Sequence, residues 1–232
     1  MFKNSEKFLT AFNRIEKELR SMMINKKDLG FSKMVKILRN SNSLVKRYSE
    51  DLLEFAELRN AIVHNKVELT HAIAEPHDSI VDKIETIQEE LAHPKKVIPL
   101  FNKKVHYFDE QDSLADMLHI IHEKGHTKFP VYANQTFMGL LTQKGITNWL
   151  AENNGEGSFS FNDILLKDVL PFEEKDNVLF ISASTSIYAA VEIYKEYASK
   201  GKRLEALLIT RNGSQEEKLA GIITTSDILE IP

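Results

Sequence analysis

Two stretches of this chain resemble two later stretches of the same chain. SLADMLHII at residues 113–121 aligns with SIYAAVEIY at 186–194, and GLLTQKGI at 139–146 aligns with GIITTSDI at 221–228. The second copy is longer between these anchors, in polar segments that suit surface turns, where extra residues cost little stability. Such a repeat means that one supersecondary unit occurs twice. It limits the possible folds more than any other feature of the sequence.

Each copy predicts the order strand, helix, strand, strand, helix from its short apolar runs and helical spacing. The strands are predicted at residues 105–108, 128–132 and 137–142 in copy one and at 178–181, 205–210 and 219–224 in copy two. The helices are predicted at 113–124 and through Leu150 in copy one, and at 186–198 and from Ser226 in copy two. We place copy one at about 97–152 and copy two at about 165–232.

Residues 1–92 carry helical spacing and almost no strand signal. In the first predicted helix, apolar side chains recur at intervals of three and four residues: Phe8, Phe12, Ile15, Leu19 and Met22. Similar stripes predict a second helix at 31–38, a third from Val45 to Ile62 and a fourth that opens at Pro76 and carries Ile80, Ile84, Ile87 and Leu91 inward. We therefore expect an α+β chain, with a four-helix domain at 1–92 followed by a repeated β-α-β-β-α unit at 97–232.

The composition excludes several classes of function. The chain has no cysteine, which excludes disulfides, cysteine-ligated zinc and thiol catalysis. Its formal net charge of -4 argues against nucleic-acid binding by bulk electrostatics. No apolar run approaches the roughly 20 residues that span a bilayer, and the first residues lack the apolar stretch of a signal peptide. We expect a cytoplasmic protein with no membrane partner.

The last strand–helix junction of copy two carries side chains that suit a nucleotide. The carboxylate of Asp227 can accept hydrogen bonds from both ribose hydroxyls, and Thr224 can reach a phosphate or ribose oxygen. In copy one the threonine is present as Thr142, but Gly145 stands in the place of the aspartate. The alternative is helix capping, in which Asp227 only stabilises the start of the last helix.

The duplicated unit resembles the CBS domain family, through the Gly-aliphatic-aliphatic-Thr-x-x-Asp pattern at 221–227 and FPVY at 129–132. The resemblance implies two copies packed sheet against sheet, with AMP, ADP, ATP or S-adenosylmethionine bound in a cleft between them. It implies one competent ribose site, at Thr224 and Asp227, and a degenerate cleft at Thr142. The alternative is two sites, because a substituted cleft can still take a ligand through backbone contacts. Lys128 lies where many members carry a phosphate-binding basic residue, with Glu205 as its expected counterpart in copy two. A solvated surface lysine is the alternative.

The third predicted helix ends with the letters ELRNAIVHN. In this segment Arg59, Asn60 and His64 match the Arg-polar-x-x-x-His signature of HEPN domains, helical bundles that include metal-independent ribonucleases acting as dimers. The resemblance implies that His64 acts as general acid or base toward a ribose 2′-hydroxyl and that Arg59 holds the phosphate. The alternatives are an ion pair of Arg59 with Glu16 or Glu54, and a bundle used for dimerisation or partner binding.

Two further groups of polar residues are expected to lie at the surface. His119, His122 and His126 have helical spacing that can bind zinc, but they are expected on the solvated side of their helix, so we expect no metal and no required cofactor. Lys103 and Lys104 are likewise expected to be solvated. The sequence thus predicts a homodimeric regulatory protein that senses an adenine nucleotide, with a nucleotide-regulated ribonuclease acting on RNA as the alternative.

Overall fold

The chain divides into a helical unit and a unit that contains both strands and helices. The structure, a computed structural model, describes residues 3–23, 29–64, 75–155 and 160–229. The two units are residues 1–95 and 96–232. This arrangement confirms the predicted α+β class, with a helical region ahead of two copies of a β-containing unit.

The described part of the helical unit contains five helices. They are α1 (Lys3–Met22), α2 (Phe31–Leu38), α3 (Ser43–Arg47), α4 (Ser49–His64) and α5 (Asp78–Ala92). The predicted apolar stripe of α1 is confirmed, because Phe8, Phe12, Ile15 and Leu19 are all buried. Helix α1 packs along α5, and α2 packs against α4.

The prediction of four helices is wrong at Tyr48, which divides the third predicted helix into α3 and α4. Asn42 fixes the start of α3 by accepting hydrogen bonds from the N–H groups of Leu44 and Val45. Tyr48 then ends α3 with φ -99° and ψ 14°, which lies outside the helical region. Its hydroxyl donates to Glu90 Oε2 at 2.7 Å, so the side chain is turned toward α5.

The start of the last helix in this unit also differs from the prediction. Pro76 precedes α5 instead of opening it, because the His77 side chain accepts the N–H of Ser79 and the helix begins at Asp78. The buried face of α5 consequently carries Val81 in place of the predicted Ile80. The other three predicted positions on this face are buried, as expected.

The second unit repeats one arrangement of strands and helices. Copy one contains α6 (Val97–Leu100), β1 (Phe108–Asp109), α7 (Leu114–Lys124), β2 (Lys128–Ala133), β3 (Thr136–Thr142) and α8 (Gln143–Glu152). Copy two contains α9 (Leu166–Val169), a 3-10 turn (Leu170–Phe172), β4 (Val178–Ser182), α10 (Ile187–Ser199), β5 (Ala206–Thr210), β6 (Gly221–Thr224) and α11 (Thr225–Leu229). The repeat predicted from the letters is therefore present in the backbone.

Each copy forms a three-stranded mixed sheet. The strand orders are β1-β2-β3 and β4-β5-β6, with the first pair parallel and the second antiparallel in each sheet. The predicted strand at 105–108 was too long at its start, because only Phe108 and Asp109 pair with β2. Val105 instead packs in an apolar cluster with side chains of copy two.

The alternation of side chains along β3 gives each sheet two apolar faces. Leu141 points toward the helices of its own copy and packs with Leu114 and Phe129. Leu140 points the other way and packs with Leu208 and other side chains of copy two. The two copies therefore bury one sheet face against each other.

Candidate functional site

The junction of β6 and α11 holds Asp227 in a fixed orientation. Asp227 Oδ2 accepts hydrogen bonds from the Thr224 backbone N–H at 2.7 Å and from its hydroxyl at 2.8 Å. The preceding residue in β6 is also anchored, since the Tyr194 hydroxyl of α10 donates to the Ile223 carbonyl at 2.8 Å. The predicted pair Thr224 and Asp227 thus forms one hydrogen-bonded group at the strand end.

A lysine distant in the sequence completes this group. Lys103 Nζ donates to Asp227 Oδ1 at 2.9 Å, across a separation of 124 residues. The lysine side chain is 45% exposed and the aspartate side chain 20% exposed, so the pair lies at the edge of the protein. Lys103 is exposed, as expected from the sequence, but its contact with Asp227 was not predicted.

Close backbone packing brings Lys103 to the junction. Asn102 forms an isolated antiparallel bridge with Gly221, the first residue of β6. A Cβ atom at residue 221 would lie 2.1 Å from the Phe101 carbonyl oxygen, so only glycine allows these two backbone segments to approach this closely. The segment after α6 therefore lies across the start of β6 and directs Lys103 toward Asp227.

The electrostatics of Asp227 favour an ionised carboxylate. Burial raises the pKa of Asp227, but hydrogen bonds from Lys103 and Thr224 outweigh burial and hold the pKa below its usual value. A carboxylate has about four lone-pair sites, and the protein donors named above use three of them. Oδ1 therefore retains capacity for a hydroxyl donor, and it gains more capacity when Lys103 moves to another anion.

The equivalent junction of copy one, between β3 and α8, is built differently. Thr142 caps α8, with its side-chain oxygen accepting the N–H of Lys144 at 3.1 Å. Gly145 stands where copy two has Asp227, but a carboxylate is present all the same. Glu173 Oε1 accepts the backbone N–H of Thr142 at 2.5 Å and that of Gly145 at 3.2 Å. The sequence analysis did not identify Glu173.

The Glu173 carboxylate is held on its other side as well. Asn177 Nδ2 donates to Glu173 Oε2 at 3.1 Å and to the Leu140 carbonyl at 3.3 Å. Asn177 is only 4% exposed, and its contact with Leu140 is buried whereas its contact with Glu173 is partly buried. Burial raises the pKa of Glu173 above its usual value, although the hydrogen bonds from Thr142 and Gly145 oppose the effect.

Lys128 lies next to a carboxylate of copy two. Its Nζ atom is 3.6 Å from Glu205 Oε2, and both side chains are largely buried. The sheet register also corrects its expected counterpart: Lys128 pairs with Thr142 as Ala206 pairs with Thr224, so Ala206 and not Glu205 is equivalent to Lys128. The proposed phosphate contact of Lys128 stays a prediction, and its nearest charge in the structure is Glu205.

Comparison with known protein families gives this geometry a name. The model of the CBS domain matches residues 97–152 and 166–232, more than half of the chain. The chain belongs to the CBS domain family. Its two matched segments are the two copies, and the junctions described above are the last strand–helix junctions of each CBS copy.

Several solved structures of CBS proteins are partly similar to this chain. CBSX2, solved in complex with AMP, is 17% identical, with 58% of this chain and 93% of that chain covered at a TM-score of 0.42. The CBS domain pair of MJ0100, solved with 5′-methylthioadenosine and S-adenosyl-L-methionine, is 14% identical, with 60% and 95% covered at 0.45. TA0289 from Thermoplasma acidophilum is 14% identical, with 60% and 70% covered at 0.45. No curated protein matches the chain.

The HEPN-like candidates lie at the end of α4 in the helical unit. Arg59 Nη1 donates to Asn60 Oδ1 at 3.3 Å, and Asn60 is exposed. Glu16, one of the expected partners of Arg59, instead pairs with Arg20 at 2.8 Å. His64 is the last residue of α4, and its side chain lies outside the described part of the structure.

The described residues contain neither a metal-type cluster of side chains nor a helix suited to span a membrane. Within residues 3–23, 29–64, 75–155 and 160–229, no three His, Asp or Glu side chains are grouped as a metal site would require. His119 Nε2 lies 3.2 Å from Glu123 Oε1, and the His126 ring lies 5.1 Å from the His106 ring. In the same ranges, none of the helices has the length and apolar character needed to cross a membrane.

Proposed function

We propose that this chain is a regulatory protein that binds an adenine nucleotide at the junction of β6 and α11 in the second CBS copy. The carrying observation is the group formed by Thr224, Asp227 and Lys103, which places a carboxylate and a cation 2.9 Å apart at a partly exposed edge. A nucleoside phosphate has the complementary pair, a ribose diol and an anion. Membership of the CBS family supports the same class of ligand.

Each residue of this group has a distinct role in the proposal. Asp227 accepts hydrogen bonds from the ribose hydroxyls through Oδ1, the oxygen that faces Lys103. Lys103 binds the phosphate as a point charge on a flexible stem, so it can turn from Asp227 to the ligand. Thr224 positions the carboxylate, because its hydroxyl donates to Asp227 Oδ2.

Calorimetric titration with AMP, ADP, ATP and S-adenosylmethionine tests the proposal. We expect Asp227→Ala to weaken binding of the best ligand by at least tenfold, because the ribose diol loses its acceptor. Tenfold corresponds to about 1.4 kcal/mol of binding free energy. Lys103→Met should weaken AMP more than adenosine, because only AMP carries the phosphate. Asp176→Ala is the matched control, since Asp176 is a 71% exposed carboxylate 3.8 Å from Lys202. Unchanged affinity in Asp227→Ala refutes the proposed site.

The proposal extends to regulation of the helical unit and to a homodimer. Ligand binding regulates a second site only when the ligand has different affinities for two states of the protein. We propose that the nucleotide favours one arrangement of a homodimer and so changes what the helical unit binds. Light scattering and hydrogen exchange with and without AMP measure both effects. Identical mass and identical exchange in residues 3–23 and 29–64 at saturating AMP contradict the coupling.

A ribonuclease in the helical unit is the second candidate function. The observation that favours it is the contact between Arg59 and Asn60, which keeps two residues of the HEPN-like signature together at the partly exposed end of α4. Incubation of RNA with the wild type, Arg59→Ala and His64→Ala tests it, with Arg39→Ala as a control cation in the same unit. Cleavage that leaves 2′,3′-cyclic phosphates and is lost in the first two variants supports the enzyme. No cleavage by the wild type, with or without nucleotide, refutes it.

A further inference from the structure

The two CBS junctions hold a carboxylate at the same backbone position but take it from different parts of the chain. In copy two, the N–H of Thr224 donates to Asp227, three residues later in the same junction. In copy one, the N–H of Thr142 donates to Glu173, which lies 31 residues later at the start of copy two, in the stretch 170–177, hereafter the connecting segment. The connecting segment thus supplies what the copy-one junction lacks.

Gly145 is what allows Glu173 to reach this position. A Cβ atom at residue 145 would lie 2.2 Å from Glu173 Oε1 and 2.8 Å from its Cγ. Any side chain at 145 and the observed position of Glu173 are therefore mutually exclusive. Copy one therefore has glycine in place of the aspartate, and Glu173 of the connecting segment supplies the carboxylate instead.

The connecting segment is fastened to copy one by side-chain hydrogen bonds on both sides of Glu173. Asn148 Nδ2 in α8 donates to the Phe172 carbonyl at 3.2 Å. Lys144 pairs with Glu174, and Asn177 joins Glu173 to the Leu140 carbonyl. These contacts hold the glutamate over the junction from flanking positions in the chain.

The acceptor capacity of Glu173 is turned inward. Oε1 already accepts two backbone N–H groups, and Oε2 faces the buried amide of Asn177. Asp227 differs because its Oδ1 is held only by the 45% exposed Lys103. A ligand can take the place of a surface lysine without exposing buried donors, whereas displacing Glu173 removes the acceptor of the Thr142 N–H and leaves the Gly145 N–H with a 3.5 Å contact to Thr142 Oγ1.

We propose that Glu173 closes the copy-one junction and is the residue that restricts this CBS pair to one nucleotide per chain, at Asp227. This inference rests on the proposed function, because it names the copy that does not bind. It also assigns Gly145 a role, as the position whose missing side chain admits the closing carboxylate. Moving the carboxylate back to residue 145 should open a second site for a nucleoside phosphate.

The double variant Gly145→Asp/Glu173→Ala tests the proposal by titration with AMP. We expect a stoichiometry of one AMP per chain for the wild type and two for the double variant. Glu173→Gln is the matched control, since it keeps the size and an acceptor oxygen, and its stoichiometry should stay at one. Gly145→Asp alone is a second route, because its side chain must displace Glu173 even where Glu173→Ala fails to fold.

Trp149 provides a readout specific to copy one. It is the only tryptophan of the chain and lies on α8, the helix that begins at the copy-one junction. AMP should change its fluorescence more in the double variant than in the wild type, and the added change should persist when Asp227→Ala is included. Two AMP per wild-type chain, or one AMP per chain in a folded double variant, overturns the proposal.

These outcomes separate the inference from the proposed function. Binding that survives Asp227→Ala in the wild-type background contradicts the proposed site in copy two. The added response of Trp149 that persists in the double variant when Asp227→Ala is included reports on copy one, so it judges Glu173 whatever happens at Asp227. If the wild type bound two AMP per chain and the Glu173→Ala variant bound only one, Glu173 would be a ligand-binding residue, which is the opposite of the proposal.

Discussion

A methyl group added at Gly221 tests the close packing that brings Lys103 to Asp227. The new Cβ atom would lie 2.1 Å from the Phe101 carbonyl oxygen and 3.1 Å from its carbon. Both are backbone atoms, so no side-chain rotation can relieve the contact. Either β6 or the segment after α6 has to move by about 1.4 Å, the shortfall from an ordinary contact of about 3.5 Å.

The cost can be estimated from the nature of the contact. Overpacking in a well-packed region costs typically about 1–3 kcal/mol, and a clash between two backbones belongs at the upper end. We therefore expect Gly221→Ala to destabilise the CBS unit by about 3 kcal/mol, or to lower its Tm by roughly 9 °C. Because the same movement carries Lys103 away from Asp227, AMP binding should weaken as well.

Gly139→Ala is the matched control in copy one. Gly139 aligns with Gly221 in the repeat, but its added Cβ atom would meet Leu170 Cδ1 at 3.1 Å, the end of a flexible side chain. We expect it to cost less than about 1 kcal/mol. Urea unfolding followed by Trp149 fluorescence reports on this unit. Equal costs at both glycines, or a neutral Gly221→Ala with unchanged AMP affinity, would refute the reasoning.

Three further outcomes follow from named contacts. Asp227→Asn should reduce the loss of folding stability at acid pH. The lowered pKa of Asp227 contributes stability above pH 3.8, which the wild type loses as pH falls through the pKa of the folded state. Urea midpoints between pH 2.5 and 6 measure this, and the same acid loss in the variant contradicts it. The wild type should lose stability as pH rises from 4.5 through the raised pKa of Glu173 in the folded state, and Glu173→Gln should remove this loss. The same urea midpoints measure it, and an equal dependence of stability on pH in the variant contradicts it. Leu140→Ala should cost about 2–4 kcal/mol, because Leu140 is 1% exposed between the sheets, while Met138→Ala, at 47% exposed, should cost under about 0.5 kcal/mol; equal costs would mean that the sheets are not packed as described.

Local patterns in the sequence predicted the repeat well. The order of elements along each copy depends on residues close in the chain, so spacing reveals it, and the contact of Thr224 with Asp227 is equally local. The errors lie where tertiary contacts decide. Tyr48 interrupts the third predicted helix and donates to Glu90, and Val105, in the predicted strand at 105–108, packs with copy two instead of pairing with β2.

The two residues that most change the view of the site could not be found from spacing. Lys103 reaches Asp227 across 124 residues, and Glu173 reaches Thr142 across 31. One sequence feature did point to Glu173, namely Gly145 in the place of an aspartate. A missing functional side chain can mean a lost site, but a glycine there can also admit a replacement from another segment, and only the structure separates the two.

The contacts made by the first residues of the two copies are reciprocal. The segment near the start of copy one, at Phe101 to Lys103, lies on the junction of copy two, and the segment near the start of copy two, at Leu170 to Glu173, lies on the junction of copy one. The charged residues of the two segments have opposite sign. In the proposed function Lys103 leaves the carboxylate of Asp227 available to a ligand, whereas Glu173 is itself the carboxylate at the junction of copy one. Under the proposed function, a nucleotide that draws Lys103 from Asp227 would act on a residue only seven positions after the start of the CBS unit at residue 96. We expect Glu173 to stay in place meanwhile, because two backbone N–H groups hold it, so binding should change the copy-two junction alone.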